Sequence, residues 1–316
     1  MKHPAASIDL GTNSARLLIG TLDEGRHIRP LFVKKCITRL GGGFSRTTGL
    51  SPEARSRTLA VLRDFAVEIT RHGVADIRAV ATSAVRDAVN GPEFVEEVFH
   101  ETGIRLRIID GREEALLNLR GVAAGLRLEG RFLLFDIGGG STEYTLAQGA
   151  SMIFTRSLPL GVVRLTEGKG DIPSMEDKID RELEALRRDM VAAGHETFLS
   201  QAILVGTAGT PATLAAIDVK LSDFDYRKVH GHSLSLKAIT RIRDTLFPLT
   251  PHQRLHVPGL ERGREDLVVA GILITMRTME LFGFERLTVC DTGILEGILS
   301  EAACQGGGDS DTFSPG

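Results

Sequence analysis

One short pattern occurs twice in this chain, and it restricts the fold more than any other feature. The first copy is Asp9-Leu10-Gly11-Thr12-Asn13-Ser14, and the second is Asp136-Ile137-Gly138-Gly139-Gly140-Ser141-Thr142-Glu143. With the aspartates aligned, Gly11 falls on Gly138 and Ser14 on Ser141. Each copy follows a short apolar run ending at Ile8 or Phe135, and leads into another, Ala15 to Gly20 or Tyr144 to Ala147. That is the grammar of strand, tight turn, strand. Glycines beside small hydroxyl residues leave N–H groups exposed in a turn, which makes a nest for phosphate oxygens. An aspartate ending each strand can hold a divalent cation directly or through water. Two such turns facing each other would clamp a phosphate chain and its metal from both sides. The duplication therefore predicts a phosphate-handling enzyme built from two similar halves.

The rest of the chain supports that division. Residues 5–20 and 28–38 read as strands. Ser51-Pro52-Glu53 starts a helix, with a serine cap followed by proline at the first helical position, and Gly73 ends it. Strands follow at 76–81 and 106–109, with helices at 92–102 and from Arg112. The pattern repeats from Phe132, with helices over 175–193, 235–247 and 263–282 and strands at 202–206 and 286–290. Gly206-Thr207-Ala208-Gly209-Thr210 is a third Gly/Thr turn between a strand and a helix. Alternating strands and helices mean an α/β fold. The Gly/Ala stretch 122–130 is read as the junction, giving domains 1–125 and 126–304 and a disordered Gly/Ser/Asp-rich tail, 305–316.

Composition removes several classes. The 316 residues carry a net charge of -3, which argues against a protein that coats nucleic acid. No apolar stretch reaches the ~18 residues of a membrane span, and no signal peptide is expected at the start. Three cysteines without metal spacing point to a reducing, cytoplasmic setting. A homodimer is left open.

Each candidate residue also has a bland reading. Glu113 and Glu114 open a helix, where acids favour the macrodipole. Asp9 and Asp136 can cap turns with their side chains. Glu143 can be a solvated strand residue, and Arg86 a helix-face arginine. His230 and His232 lie two apart and could conceivably hold a metal.

The two loops, with Gly206-Thr-Ala-Gly-Thr, Ala81-Thr82-Ser83-Ala84-Val85-Arg86, Gly111-Arg112-Glu113-Glu114-Ala115, Lys228-Val229-His230-Gly231 and Leu295-Glu296-Gly297, resemble the exopolyphosphatase / guanosine pentaphosphate phosphohydrolase family. The likeness runs from residue 5 to about 300. It implies two ribonuclease-H-like domains of the actin–Hsp70–sugar-kinase superfold with a cleft between them. Longer relatives carry an extra C-terminal helical region of the HD type; this sequence resembles the short form. The resemblance makes Glu114 the catalytic base and Arg86 a phosphate-binding arginine. It makes Asp9, Asp136 and Glu143 the residues of a magnesium site, with manganese as the alternative ion. Phosphate contacts are expected from Gly11, Thr12, Asn13, Ser14, Gly138, Gly139, Gly140, Ser141, Thr142, Gly206, Thr207 and Gly209. The Lys228–Gly231 segment becomes a structural turn. Leu295 departs from the family pattern, which commonly has arginine there. The expected substrate is inorganic polyphosphate or guanosine pentaphosphate, with no nucleic-acid or membrane partner. A non-catalytic polyphosphate or nucleotide sensor and a kinase remain as alternatives.

Overall fold

In the computed structural model, residues 3–23, 27–45, 47–168, 171–222 and 226–305 are described. The tail expected to be disordered lies outside them beyond Gln305. The first half contains β1 (Ala5–Leu10), β2 (Ser14–Leu22), β3 (Ile28–Ile37), α1 (Pro52–Arg71), β4 (Asp76–Ala81), α2 (Ser83–Arg86), α3 (Gly91–Thr102), β5 (Leu106–Ile108) and α4 (Gly111–Leu126). The second contains β6 (Arg131–Ile137), β7 (Thr142–Gln148), β8 (Ser151–Leu158), α5 (Val162–Gly168), α6 (Ile172–Ala192), α7 (Glu196–Leu199), β9 (Ile203–Thr207) and α8 (Gly209–Asp218). It continues through β10 (Ser233–Ser235), α9 (Leu236–Leu246), α10 (Pro251–Arg254), α11 (Val268–Phe282), β11 (Arg286–Val289) and α12 (Ile294–Gln305).

The two sheets share one topology. The first runs β3-β2-β1-β4-β5; β1, β2 and β3 are antiparallel neighbours, while β4 and β5 run parallel to β1. The second runs β8-β7-β6-β9-β11 in the same sense, with β10 added at one edge. This order, 3-2-1-4-5 with the second strand reversed, is the ribonuclease-H-like arrangement that the family resemblance implies. Both copies of the motif turn from the central strand into its antiparallel neighbour, so both lie at equivalent corners.

Local chemistry explains the helix starts. Ser51 accepts a hydrogen bond from the Ala54 amide and Pro52 follows it, as the sequence indicates. Asp110 caps α4 by accepting from the Glu113 amide at 2.8 Å, which fixes Glu113 and Glu114 in the first turn. The 122–126 segment, read as part of a junction, is the end of α4.

Each half has its own core. Ile8, Leu17, Leu62 and Phe94 anchor the first, and Phe135, Tyr144, Leu183 and Ile274 the second. Two helices cross between the halves. Leu119 and Val122 of α4 pack with Phe132, Leu134 and Val205 of the second sheet. Leu295 and Leu299 of α12 return to Leu18 in the first. A further cluster of Val80, Ile109, Leu117, Ile294 and Ile298 joins α4 and α12 to the first sheet. Leu295, the position read as a departure from the resemblance, is 5% exposed and belongs to this core contact. Among the described residues no helix is long and apolar enough to cross a membrane.

Candidate active site

The antiparallel register lines up a row of side chains in each half. Asp9 lies opposite Arg16, and Arg16 opposite Lys35. In the second half Asp136 lies opposite Glu143, and Glu143 opposite Ser157. Directly opposed residues carry their side chains on one face of a sheet. The repeated backbone therefore presents two rows of different charge, one after each copy of the motif. Arg16 grips Asp9 Oδ2 through Nε at 3.0 Å and Nη2 at 2.7 Å. The Ser157 hydroxyl donates to Glu143 Oε1 at 2.7 Å. Asp136 accepts from the Asn118 amide, which α4 supplies.

The turns are closed in the same way. The Gly11 amide donates to Ser14 O at 3.0 Å, and the Gly138 amide to Ser141 O at 3.0 Å. The glycine amides that open the two motifs are thus spent on turn closure. The turns also touch across the gap. A Cβ on Gly139 would lie 2.9 Å from Thr12 Cβ and 3.1 Å from the Asn13 nitrogen, so only glycine permits this approach. Thr12 Oγ1 and Ser83 Oγ are 3.0 Å apart. The buried Asn13 amide has no hydrogen-bond partner on either polar atom among the described residues. An orphaned amide inside the turn suits a polar ligand.

Glu114 is 8% exposed and lines the same cleft as Asp9, Asp136 and both turns. Arg86 orients it: one guanidinium nitrogen lies 3.3 Å from Glu114 Oε2 and donates to Ile109 O at 3.0 Å. Burial first, then Glu143 and Asp136, push the Glu114 carboxyl well above the usual range, against the pull of Arg86. Burial, the Glu143 charge and a smaller Asp9 contribution push Asp136 up to about 7, although Arg16 and Asn118 oppose the shift. Burial also raises Glu143, opposed by the Ser141 and Ser157 hydroxyls and by Arg86. Carboxylates that raise one another in a buried cleft are short of positive charge.

The cleft is lined by Asp9, Gly11, Thr12, Asn13, Ser14, Glu114, Asp136, Gly138, Gly139, Ser141 and Gly209 of the expected set. Glu143 and Arg86 stand behind this lining, in contact with its members. Gly140 faces a second hollow on the other side of the turns, with Asp87 and Arg164. Three expected phosphate contacts point elsewhere. Thr142 is fully buried and donates its hydroxyl to Leu160 O at 2.5 Å. The Thr207 hydroxyl donates to Thr292 O at 3.0 Å. Gly206 lies in β9 against Phe135, Pro211 and Leu287. His230 pairs with Asp291 and His232 with Asp218, which fits the structural turn. Arg16, Ser83, Asn118, Lys35 and Arg264 are site residues that sequence reading missed. Arg16 had an accessible signal, since the strand register sets it opposite Asp9, and Ser83 lies within the quoted Ala81–Arg86 segment.

Asp9, Asp136 and Glu143 are hard oxygen donors in a negatively charged, buried place, which suits a divalent cation. No three acidic, thiol or imidazole groups among the described residues form a cage for an ion.

A duplicated ribonuclease-H-like fold with a carboxylate-rich cleft between two glycine turns defines a two-lobed α/β protein with an interlobe site. The chain belongs to the Ppx/GppA phosphatase family, whose profile matches residues 18–305. It is 32% identical over 309 residues to exopolyphosphatase 2 of Mycobacterium tuberculosis, covering 93% of this chain and 96% of that protein. It is 31% identical over 309 residues to the bifunctional 3-dehydroquinate synthase/phosphatase of Fusobacterium nucleatum, covering 94% of this chain. The chain spans 46% of that relative, about half its length. Among solved structures, an exopolyphosphatase from Cytophaga hutchinsonii superposes with a TM-score of 0.87 at 28% identity, covering 96% of this chain and 98% of that one.

Proposed function

We propose that this protein is an exopolyphosphatase, which releases the terminal phosphate of inorganic polyphosphate by hydrolysing the last phosphoanhydride bond. The observation that carries the reading is Glu114: a buried carboxyl of raised proton affinity, oriented by Arg86, in a cleft between two touching glycine turns. The names of the Mycobacterium tuberculosis and Cytophaga hutchinsonii relatives support the substrate class.

The terminal phosphoryl group lies between the turns Gly11–Ser14 and Gly138–Ser141. Thr12, Ser14 and Ser141 supply hydroxyl donors there, and the orphaned Asn13 amide supplies another polar contact. Ionised Glu114 accepts a proton from a water molecule as the water oxygen attacks the terminal phosphorus. The bridging P–O bond breaks, its electron pair stays with the shortened chain, and orthophosphate leaves. A raised proton affinity makes Glu114 a stronger base near neutral pH than an exposed carboxylate would be. Asp9, Asp136 and Glu143 would hold the divalent cation, magnesium first and manganese as the alternative; when bound, it neutralises charge on the phosphoryl oxygens. A pure sensor would have no use for a buried base beside its phosphate turns.

The test is phosphate release in the presence of magnesium from long polyphosphate, short polyphosphate, guanosine pentaphosphate and ATP. Highest catalytic efficiency on polyphosphate supports the assignment. A clear preference for guanosine pentaphosphate would replace it with the nucleotide phosphohydrolase, and no turnover of any substrate would leave only binding.

A further inference from the structure

Arg86 orients the base, and a second carboxylate orients Arg86. Nη1 of Arg86 lies 3.3 Å from Glu114 Oε2 and donates to Ile109 O at 3.0 Å. Elsewhere on the guanidinium, Nε lies 3.6 Å from Asp87 Oδ1. Asp87 uses its other oxygen to reach the opposite half, where Oδ2 accepts from Arg164 Nη2 of α5 at 2.7 Å. Arg164, Asp87, Arg86 and Glu114 therefore form a row of alternating charge. It begins in the second half and ends at the base in the first.

The far end of the row is tied to the second glycine turn. The Val162 and Val163 amides donate to Gly138 O and Gly139 O at 3.0 and 2.9 Å, and the Arg164 amide donates to Gly139 O at 3.2 Å. The start of α5 thus grips the carbonyls of the second turn, while its Arg164 side chain grips the first half. One helical turn on, Glu167 Oε2 accepts from the Gly43 amide at 3.3 Å, so α5 meets the first half at two points. Asp87 and Arg164 line the hollow behind the turns and not the cleft that Glu114 lines, which makes their part in the reaction indirect. An ion pair whose side chains are 33% and 36% exposed adds little to stability. Its value is directional. A guanidinium is a rigid fork of donors, and one held at Nε as well as at Nη1 cannot turn away from the carboxylate it orients.

We infer that Asp87 and Arg164 are positioning residues for the base: Arg164, carried on the helix that supports the second turn, fixes Asp87, and Asp87 fixes Arg86 against Glu114. The base is thereby aimed with reference to both turns, although it belongs to one half. The inference rests on the exopolyphosphatase reading of the site.

The experiment measures kcat and KM for polyphosphate, with magnesium, in Asp87→Asn, Arg164→Met, Arg164→Lys and Arg39→Gln. The first two changes are then repeated in a Glu114→Gln background with enzyme in excess over substrate. Arg39 forms a separate bridge between the halves, to Asp266 at 2.9 and 3.0 Å, and lies outside the row. Positioning predicts that Asp87→Asn and Arg164→Met each lower kcat about tenfold, with KM within about threefold, a fraction of the ~10²-fold that a misplaced catalytic group costs. Arg164→Lys should recover most of kcat, and Arg39→Gln should keep it within about twofold, as expected for a partly exposed bridge. In the Glu114→Gln background the same two changes should lower the residual rate by less than about twofold, because residues that act through one group are not additive. Undiminished losses in that background would show that the pair acts independently of the base, and would overturn the inference. An equal kcat loss in Arg39→Gln and Arg164→Met would also overturn it, since the bridges would then merely hold the halves together. So would an unaltered kcat in both Asp87→Asn and Arg164→Met. A wild-type protein that binds polyphosphate but releases no phosphate would instead refute the catalytic reading itself.

Discussion

Asp136→Asn should stabilise the protein while disabling it. Asp136 is 9% exposed and its carboxyl is pushed up to about 7 from 3.8. The folded-state value is the raised one. Stability is therefore fully present below about pH 4, where the unfolded chain also holds the proton, and is lost as pH rises through 7. A shift of roughly three units at about 1.4 kcal/mol each sets a ceiling of ~4 kcal/mol at pH 8. Coupling to Glu143 and Asp9 shares this among several groups, so about 2–4 kcal/mol is expected for the substitution. Asparagine keeps the volume and an oxygen for the Asn118 amide to bond. The assay is thermal unfolding with divalent ions chelated, wild type against variant, from pH 4 to pH 8. The variant's advantage should be near zero at pH 4 and reach about 4–16 °C at pH 8, taking roughly 2–4 °C per kcal/mol. An advantage equal at both pH values would place the effect in packing, and no advantage at pH 8 would refute the electrostatic account of the cleft.

Two further outcomes follow from the same geometry. Glu143→Gln should raise the magnesium concentration needed for half-maximal activity, because a neutral amide is a poorer ligand for a hard cation; full activity in excess chelator would remove the metal from the account. Gly139→Ala should cut kcat by about 10²-fold with little loss of folding, because the added methyl forces the turn off Thr12; near-normal turnover would show that the turns need not touch.

The duplicated loop made the fold legible because a turn between antiparallel strands leaves a local signature. The strand period of two then sets Glu143 opposite Asp136. That same alternation turns Thr142 to the other face, where its hydroxyl donates to Leu160 O. Gly206 and Thr207 belong to β9, which ends only at Thr207, because a Gly/Thr pattern alone does not mark where a strand stops. Other parts left no local trace. Lys35 meets Glu261 and Arg39 meets Asp266 across more than 220 residues, and such pairs are set by how the halves dock. The crossing of α4 and α12 between the halves is likewise a tertiary event. Leu295 packs on Leu18 across the halves, a contact that likewise has no local signature.

The central claim is that Glu114 is the base, and the direct test is Glu114→Gln against Glu113→Gln. Both residues occupy the first turn of α4, but Glu113 pairs with Arg107 on the exposed side while Glu114 faces the cleft. Turnover of polyphosphate with magnesium, and equilibrium binding of the same chain, are measured for both variants. The account predicts a loss of ~10²–10⁴-fold in kcat for Glu114→Gln, with binding retained, and a change of no more than a few-fold for Glu113→Gln. Turnover by Glu114→Gln within a few-fold of wild type would contradict it.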